Sequence, residues 1–184
     1  MKKIICVIDM QKDFIDGSLG SEKAVALIDP IVEYLNRNKN DAYFIFTKDI
    51  HDKNYLSTLE GKHCPINHCI NFSLGSQLNS KISNFINKYD LKYKIVEKNY
   101  FGFGELNWKN KISELIKGKV QNMISEIELV GLYLDTGVLV NAIELKNLFP
   151  EIEISVIKNL CIGMSITKYE SALNVLNSCQ INIK

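Results

Sequence analysis

Ionisable side chains stand directly after several short apolar runs of this sequence, and their types suit acid–base chemistry. Asp9 follows the first run, Asp49 and His51 follow the second, and Lys98 follows the third. A carboxylate can accept and return a proton during a reaction, and a nearby ammonium keeps that carboxylate ionised. These residues therefore predict a general acid–base centre, provided that the fold brings them together.

The elements between these residues predict such a fold. Apolar, β-rich runs alternate with stretches of helical periodicity along the chain, which is typical of an α/β domain with a parallel sheet. The predicted strands cover 3–8, 42–47, 93–97, 126–133, 151–157 and 180–183. The predicted helices cover 30–38, 77–89, 106–117, 136–149 and 167–178, the first of them with Asp29 as N-cap and Pro30 at its first position. The fold class is therefore α/β, with three α/β/α layers and a six-stranded, mostly parallel, Rossmann-like sheet that has helices on both faces.

One edge of this sheet is the predicted site, because ligands of open parallel sheets bind beyond the carboxyl ends of the strands. The fourth predicted strand runs into Asp135, Thr136 and Gly137 at the start of a helix, so four strands deliver ionisable groups or a helix N-terminus to this edge. A single aspartate after a strand is more often a turn or capping residue, so the convergence of four strands carries the prediction. The connection 48–76 is long with little periodicity, and such loops are usually functional or disordered.

Composition excludes several classes of function. The 184 residues fit one domain, predicted to span 1–184, and leave no room for a second one of full size. Lys and Arg number 22 against 21 Asp and Glu, so no broad basic field is expected to bind nucleic acid or an anionic membrane. The apolar runs are far shorter than the roughly 20 residues that span a bilayer. The five cysteines are odd in number and unevenly spaced, which suggests reduced thiols in a cytoplasmic protein.

Four segments resemble the motifs of the isochorismatase-like, or cysteine hydrolase, superfamily, to which nicotinamidases belong. They are Ile8-Asp9-Met10-Gln11-Lys12-Asp13-Phe14, Thr47-Lys48-Asp49-Ile50-His51, Glu97-Lys98-Asn99-Tyr100-Phe101-Gly102-Phe103 and Val130-Gly131-Leu132-Tyr133-Leu134-Asp135-Thr136-Gly137-Val138. They occur in the family's order and cover essentially the whole chain. The resemblance implies the six-stranded fold, a homo-oligomer, and a catalytic triad of Asp, Lys and Cys in which Asp9 and Lys98 supply the first two members.

The third member of that triad is absent from its expected position. The resemblance places the nucleophilic Cys at the start of the helix after the fourth strand, where this sequence has Gly137. The backbone at Gly137 and Tyr133 would still supply the oxyanion pocket that the family implies. Leu134 and Ile157 also depart from the family pattern, which often has Thr or Ser at the first position and Asp at the second. True isochorismatases resemble this chain at Gly131-Leu132-Tyr133, carry Gly at the nucleophile position and cleave a vinyl ether without a thiol.

Two carboxylates and two imidazoles on or beside the long connection form a candidate metal site, namely Asp49, His51, Glu60 and His68. Mixed nitrogen and oxygen ligands suit Zn, Mn or Fe and leave positions open for water or a substrate nitrogen. In nicotinamidase-type relatives a metal with such ligands holds the pyridine nitrogen, and Glu60-Gly61 with His68-Cys69 resembles the matching segment. The predicted cofactor is therefore a divalent metal, and no organic cofactor is expected. The alternative is a structural zinc site, although the spacing lacks a CxxC knuckle; its ligands would be His63, Cys64, His68 and Cys69.

Aromatic residues near these motifs are candidates for the substrate pocket. Phe14, Tyr100, Phe101 and Phe103 could line a pocket for a flat ring, as aromatic residues do near this site in relatives. Each of them alone is as consistent with a core or lid residue. The sequence therefore predicts an aromatic pocket without identifying which ring contacts the substrate.

Three functions remain open from the sequence. The first is hydrolysis of a small cyclic amide such as nicotinamide by a route without a thiol, for example with metal-activated water. The second is isochorismatase-type cleavage of a vinyl ether, with Asp9 as the acid. The third is a non-catalytic protein that binds a small nicotinamide-like ligand. In each case the partner is a small molecule, and neither nucleic acid nor a membrane is expected.

Overall fold

A six-stranded sheet forms the middle layer, and every neighbouring pair of its strands is parallel. The structure, a computed structural model, describes residues 1–118 and 120–184. The strands are β1 (Lys2–Ile8), β2 (Ala42–Asp49), β3 (Tyr93–Lys98), β4 (Ile124–Leu132), β5 (Glu153–Ile162) and β6 (Asn182–Ile183). Their order across the sheet is β3-β2-β1-β4-β5-β6, which confirms the predicted fold class. The order reverses between β1 and β4, and the ligand crevice of such sheets lies beyond the carboxyl ends at that point.

Eight α-helices surround the sheet in the described parts of the chain. They are α1 (Lys12–Ile15), α2 (Glu22–Asn38), α3 (Leu59–His63), α4 (Ser80–Lys88), α5 (Glu105–Ile116), α6 (Val120–Met123), α7 (Leu139–Leu148) and α8 (Ile166–Ser178). Among the residues that the structure describes, no helix combines the length and the apolar character needed to cross a membrane.

The central strand β1 packs against both helical layers. Ile4, Cys6 and Ile8 point to a core shared with α5, α7 and α8, whereas Ile5 and Val7 point to a core shared with α2 and α4. All five side chains are completely buried. Successive side chains of a strand alternate between the faces of a sheet, so a run that is apolar at every position is typical of a strand covered on both sides. This burial fixes the position at which β1 ends and Asp9 begins.

The prediction that Asp29 caps the helix before β2 is wrong. This helix begins earlier, where the Ser21 hydroxyl accepts a hydrogen bond of 3.2 Å from the backbone N–H of Ala24. Pro30 therefore lies inside α2. Proline removes the hydrogen bond to the carbonyl four residues earlier, but Ala26 and Pro30 are both exposed, so water can satisfy that carbonyl. The apolar face that α2 buries against the sheet outweighs this local cost.

The strand β5 and the long connection also differ from the prediction. The strand β5 continues to Ile162 instead of ending at 157, so Cys161 lies within it rather than after it. A register irregularity in the pairing with β4 separates the two halves of β5. Two exposed polar residues, Lys158 and Asn159, interrupt the apolar run of β5 at that point. The connection 48–76 contains a 3-10 turn and the short helix α3, which are too brief to produce a periodic pattern.

Candidate active site

A buried ion pair lies at the carboxyl ends of β1 and β3. The Lys98 ammonium is 2.7 Å from Asp9 Oδ2, and both side chains are almost completely buried. The Thr47 hydroxyl, at the end of β2, donates a hydrogen bond of 2.6 Å to Asp9 Oδ1 and accepts one from the backbone N–H of Asp9. Three strands thus hold this carboxylate, as the convergence of strand ends predicted.

The surroundings of this pair set its protonation. Burial raises the pKa of the Asp9 carboxyl above its usual range, and the attraction of the Lys98 ammonium limits that rise. For Lys98, burial favours the neutral amine, but the charges of Asp9 and Asp49 outweigh it and raise the pKa of the ammonium. A raised carboxyl pKa suits a group that accepts and then returns a proton near neutral pH. Asp9 also has a left-handed backbone (φ 49°), a conformation that costs energy and is common at functional sites.

The segment after Asp9 is locked to the end of β2 by Gln11, which sequence analysis did not select. Its side-chain amide donates to the Asp49 carbonyl (2.7 Å), and its side-chain carbonyl accepts from the Asp49 N–H (2.7 Å). A third bond of 3.0 Å reaches the Ser76 carbonyl. Asp13, two residues after Gln11, accepts a hydrogen bond of 2.7 Å from the backbone N–H of Cys69. These bonds fix the long connection, and with it His68, against α1.

Three of the predicted metal ligands lie together. Side-chain donor atoms of Asp49, His51 and His68 are all within 4.8 Å of one another, and all three residues are buried. Burial opposes ionisation of Asp49, but its hydrogen bond to His51 and the charge of Lys98 lower the pKa of the carboxyl overall. Asp49 is therefore available as an ionised ligand, which metal binding requires.

Two observations show that this set fits a divalent metal. Asp49 Oδ1 is buried and has no hydrogen-bond partner in the described part of the chain. The Nδ1 atom of His68 lies 2.8 Å from the Ile66 carbonyl. Because a carbonyl only accepts hydrogen bonds, Nδ1 carries a proton, which leaves Nε2 of the neutral ring free to act as a ligand. Nitrogen and carboxylate donors of this kind suit zinc, manganese or iron.

The other candidate ligands stand apart from this cluster. A Glu60 oxygen lies 3.9 Å from His51 Nε2 and its side chain is about one third exposed (32%), so Glu60 borders the group without joining it. Among the described residues, His63, Cys64 and Cys69 form no metal-binding group with His68, which leaves the structural zinc alternative without support. The buried Tyr55 ring, which sequence analysis missed, packs 4.5 Å from the His51 ring and 4.9 Å from the His68 ring, measured between centroids.

We expect one equivalent of Zn²⁺ to bind to this cluster. Replacement of His68 by alanine removes a buried nitrogen ligand. Loss of a residue that only hydrogen-bonds a metal ligand typically lowers metal affinity by about 10–100-fold, so loss of the ligand itself should lower the Zn²⁺ affinity by at least about 100-fold. Titration calorimetry of the purified protein measures this directly, without an activity assay. His63→Ala is the matched control, because His63 is exposed and lies outside the cluster, and its affinity should be unchanged. Equal affinities for His68→Ala and the unmodified protein would contradict the site.

Gly137 lies beside Asp9, at the position where the resemblance places a nucleophile. A π-helical turn (Leu134–Val138) leads from β4 into α7 and brings residue 137 to the cavity. A Cβ atom at this position would lie 3.2 Å from Asp9 Oδ2. Tyr133 also lines the cavity, and a cis peptide bond joins it to Leu132. The single hydrogen of the Tyr133 phenol, however, is directed to the carbonyls of Leu19 (2.6 Å) and Phe14 (3.1 Å), so this residue can contribute to an oxyanion pocket only through its backbone.

No described cysteine is placed to act as this nucleophile. Burial raises the pKa of the thiols of Cys6 and Cys69, and raises that of Cys161 to about 12, so these groups are protonated at neutral pH. Cys69 lies next to His68 but is completely buried. Cys64 lines the cavity on the metal side, and Cys179 caps the end of α8. The chemistry at Asp9 must therefore use a nucleophile other than these thiols.

The Gly137 turn is joined to the segment after β3 by Asn141, another residue that sequence analysis missed. Its completely buried amide donates to the Gly137 and Phe101 carbonyls (2.7 and 2.9 Å) and accepts from Phe103 N–H and Trp108 Nε1 (3.0 and 3.1 Å). No local pattern could have identified it, because Asn141 looks like an ordinary helical residue. It holds two walls of the cavity at a fixed separation.

We expect Asn141→Leu to destabilise the protein. The Gly137 and Phe101 carbonyls lose the hydrogen bonds that this side chain donates, and leucine cannot replace its acceptor oxygen, so the free energy of unfolding should fall by about 2–4 kcal/mol. Urea denaturation followed by circular dichroism measures the change. Asn110→Leu, an exposed position on α5, is the control and should change stability little. A similar small effect for both variants would show that Asn141 does not hold these walls together.

A cavity of about 840 Å³ joins these groups. Asp9, Lys98 and Gly137 line its floor with the three metal-binding side chains to one side. Three of the four aromatic candidates line it, namely Phe14, Tyr100 and Phe101. Phe103 does not: its ring packs against Trp108 in the core, 5.2 Å between centroids, because its backbone N–H is held by Asn141 and Glu144. The placement of Phe103 in the substrate pocket is therefore corrected.

Comparison with known proteins supports this architecture. No family model matches the sequence, and a search of curated proteins finds no match. Among solved structures, the nicotinamidase PncA from Bacillus subtilis is 25% identical with a TM-score of 0.79, over 100% of this chain and 99% of that chain. A pyrazinamidase of Pyrococcus horikoshii in complex with zinc is 21% identical (TM-score 0.72, 100% and 99% covered). An isochorismatase-like hydrolase from Alkaliphilus metalliredigens is 18% identical (TM-score 0.74, 100% and 95% covered). These likenesses confirm the predicted fold.

Proposed function

We propose that this chain is an isochorismatase-like hydrolase and that it hydrolyses, without a thiol, a small cyclic amide of the nicotinamide type, in which a carboxamide is attached to a ring. The observation that carries the proposal is the buried Asp9–Lys98 pair on the floor of a cavity that also holds the metal-binding side chains. A base, a cation that keeps it ionised and a set of metal ligands then face one substrate. The solved nicotinamidase of similar fold supports the choice of an amide.

Asp9 would act on water in this reaction. The space that a side chain at residue 137 would occupy begins 3.2 Å from Asp9 Oδ2, so a water molecule there can donate a hydrogen bond to the carboxylate. Asp9 takes a proton from this water while the water oxygen bonds to the amide carbon. The π electron pair of the amide carbonyl moves onto the carbonyl oxygen. That pair then returns, the carbon–nitrogen bond breaks, and Asp9 gives its proton to the leaving nitrogen. One amide and one water become one carboxylic acid and one ammonia.

The remaining groups orient the substrate and stabilise charge. Lys98 keeps Asp9 ionised before the attack and stays protonated throughout, because two carboxylates face it. Tyr133 and Gly137 line the cavity beside Asp9, and their backbone N–H groups would stabilise a developing oxyanion. A divalent metal, when bound by Asp49, His51 and His68, would act as a Lewis acid toward a ring nitrogen or carbonyl oxygen of the substrate.

Cleavage of a vinyl ether is the second candidate, and two observations favour it. Residue 137 is glycine, so the site lacks the thiol with which the cysteine hydrolases that this chain resembles cleave amides. Burial raises the pKa of the Asp9 carboxyl, which favours its protonated, acidic form. Protonation of the substrate by Asp9 would then start the cleavage. The metal ligands have no role in that reaction, so the amide remains the proposal that uses the whole site.

The test measures ammonia and nicotinate released from nicotinamide by the purified protein supplied with Zn²⁺. The experiment uses the Cys64→Ser variant treated with iodoacetamide, because Cys64 is the cysteine that lines the cavity. We expect hydrolysis to persist after alkylation. No ammonia from nicotinamide, pyrazinamide or benzamide would overturn the proposal. Pyruvate released from isochorismate would then favour the vinyl ether reaction, and calorimetric binding of nicotinamide without any product would favour a binding protein.

A further inference from the structure

The cavity is larger than a single-ring amide requires. Pockets of roughly 300–1,000 Å³ usually enclose drug-sized ligands, and this one measures about 840 Å³. Nicotinamide is one six-membered ring with a carboxamide, so it would occupy only the floor around Asp9 and the metal ligands. The remaining volume of the cavity would not be filled by nicotinamide.

Four large apolar side chains surround the open end of the cavity. This apolar rim consists of Leu59 on α3, Tyr100 and Phe101 after β3, and Met164 after β5. Their exposed fractions are 73%, 78%, 54% and 54%. Single exposed apolar residues are ordinary, but four from three separate segments around one concave opening mark a binding surface.

We propose that the substrate is a ring carboxamide whose ring also carries an apolar extension of several carbons. This extension lies against the apolar rim. The inference rests on the proposed function, since it assigns the ring to the floor of the same cavity. Leu19, Ile50 and Leu132 add further apolar surface to the same cavity. An extension leaving the ring would therefore meet apolar side chains inside the cavity as well as at its rim.

The shape favours a substrate over another protein as the occupant. The rim is continuous with the reactive floor and encloses a concavity, whereas a second copy of the chain would need a broad complementary face. The four rim side chains are uncharged, and Asp52 and Glu60, which line the same cavity, are acidic, so an anionic extension would lose hydration and meet like charge. The class of substrate is thus a neutral aryl amide with an alkyl or aryl substituent.

The test uses ligands that cannot be hydrolysed, so that binding is measured whether or not turnover occurs. These are 3-acetylpyridine, in which a methyl ketone replaces the amide, and its 5-alkyl and 6-alkyl derivatives from methyl to butyl. Titration calorimetry with the Zn²⁺-supplied protein gives each Kd. In one of the two series we expect the Kd to fall by about threefold for each added methylene, as burial of apolar surface predicts.

Variants of the rim decide where the extension binds. In Leu59→Ser/Met164→Ser the dependence of Kd on chain length should disappear, and Phe101→Ser should weaken it independently. Leu106→Ser is the matched control, because Leu106 is 70% exposed but belongs to α5 outside the cavity lining, and it should keep the full dependence. Melting temperatures check that each variant is folded.

Three results would overturn the inference. They are a Kd that does not fall along either series, a dependence on chain length that survives in the double variant, and a double variant whose mass in sedimentation halves while its Kd values stay unchanged. The last result would identify the rim as an interface between copies. A normal dependence on chain length together with no hydrolysis of any amide would contradict only the proposed function.

Discussion

Gly137→Cys should convert the site into a thiol-dependent amidase, with nicotinamide hydrolysis rising on the order of 100-fold above the unmodified protein. The new Cβ would lie 3.2 Å from Asp9 Oδ2, so the thiol would sit beside a base and within the field of the Lys98 ammonium. Both neighbours favour transfer of the thiol proton, and the ammonium favours the thiolate. Residue 137 has no left-handed backbone, so a side chain is compatible with its conformation. Steady-state rates of ammonia release measure the gain.

The close contacts of this position require a matched control. The new Cβ would also approach the Leu132 carbonyl oxygen at 3.2 Å and the Ile8 side chain at 3.3 Å, so neighbours must shift slightly. Such crowding typically costs about 1–3 kcal/mol of stability. Gly137→Ala introduces the same crowding without sulfur and should lose activity, because its methyl group occupies the place of the attacking water. If a folded Gly137→Cys protein is no faster than Gly137→Ala and resists iodoacetamide, the geometry around Asp9 does not support nucleophilic catalysis.

The sequence contains enough information for the fold and the ionisable groups of the site. Asp9 and Lys98 were predictable because each follows a strand, and parallel strands present their carboxyl ends at one edge. Asp49 and His51 follow from the same rule. These predictions needed only the positions of strand ends, which the apolar runs mark within a few residues.

The positioning residues were not predictable, because their bonds join distant parts of the chain. Gln11 bonds the backbone at Asp49, and Asn141 bonds the carbonyl of Phe101, while neither residue stands in a local pattern that indicates such a role. Phe101 and Phe103 also looked equivalent, yet one lines the cavity and the other enters the core. The Phe103 N–H bonds to Asn141 and Glu144, and the Phe103 ring packs against Trp108, all contacts with residues distant in sequence or on another element.

Asp9→Asn should remove activity and also destabilise the fold. The substitution keeps an oxygen to accept the Thr47 hydrogen bond, and asparagine tolerates the left-handed backbone at residue 9. What it removes is the charge opposite Lys98, which would leave a buried ammonium with Asp49 Oδ1, 3.7 Å away, as its nearest anion. Removing one partner of a buried ion pair typically costs about 3–5 kcal/mol. Turnover should fall by about 10²–10⁴-fold, the usual contribution of a general acid–base group.

A double variant separates the structural part of this loss from the chemical part. Asp9→Asn/Lys98→Met removes both charges, and replacing a buried pair by neutral groups is often close to neutral for stability, so most of the lost unfolding free energy should return. Activity should not return, because no base faces the substrate. Urea denaturation gives the free energy of unfolding, and ammonia release from the same preparations gives the turnover rate. Recovery of turnover along with stability would mean that Asp9 and Lys98 form only a structural ion pair, and the water reaction would then need another base.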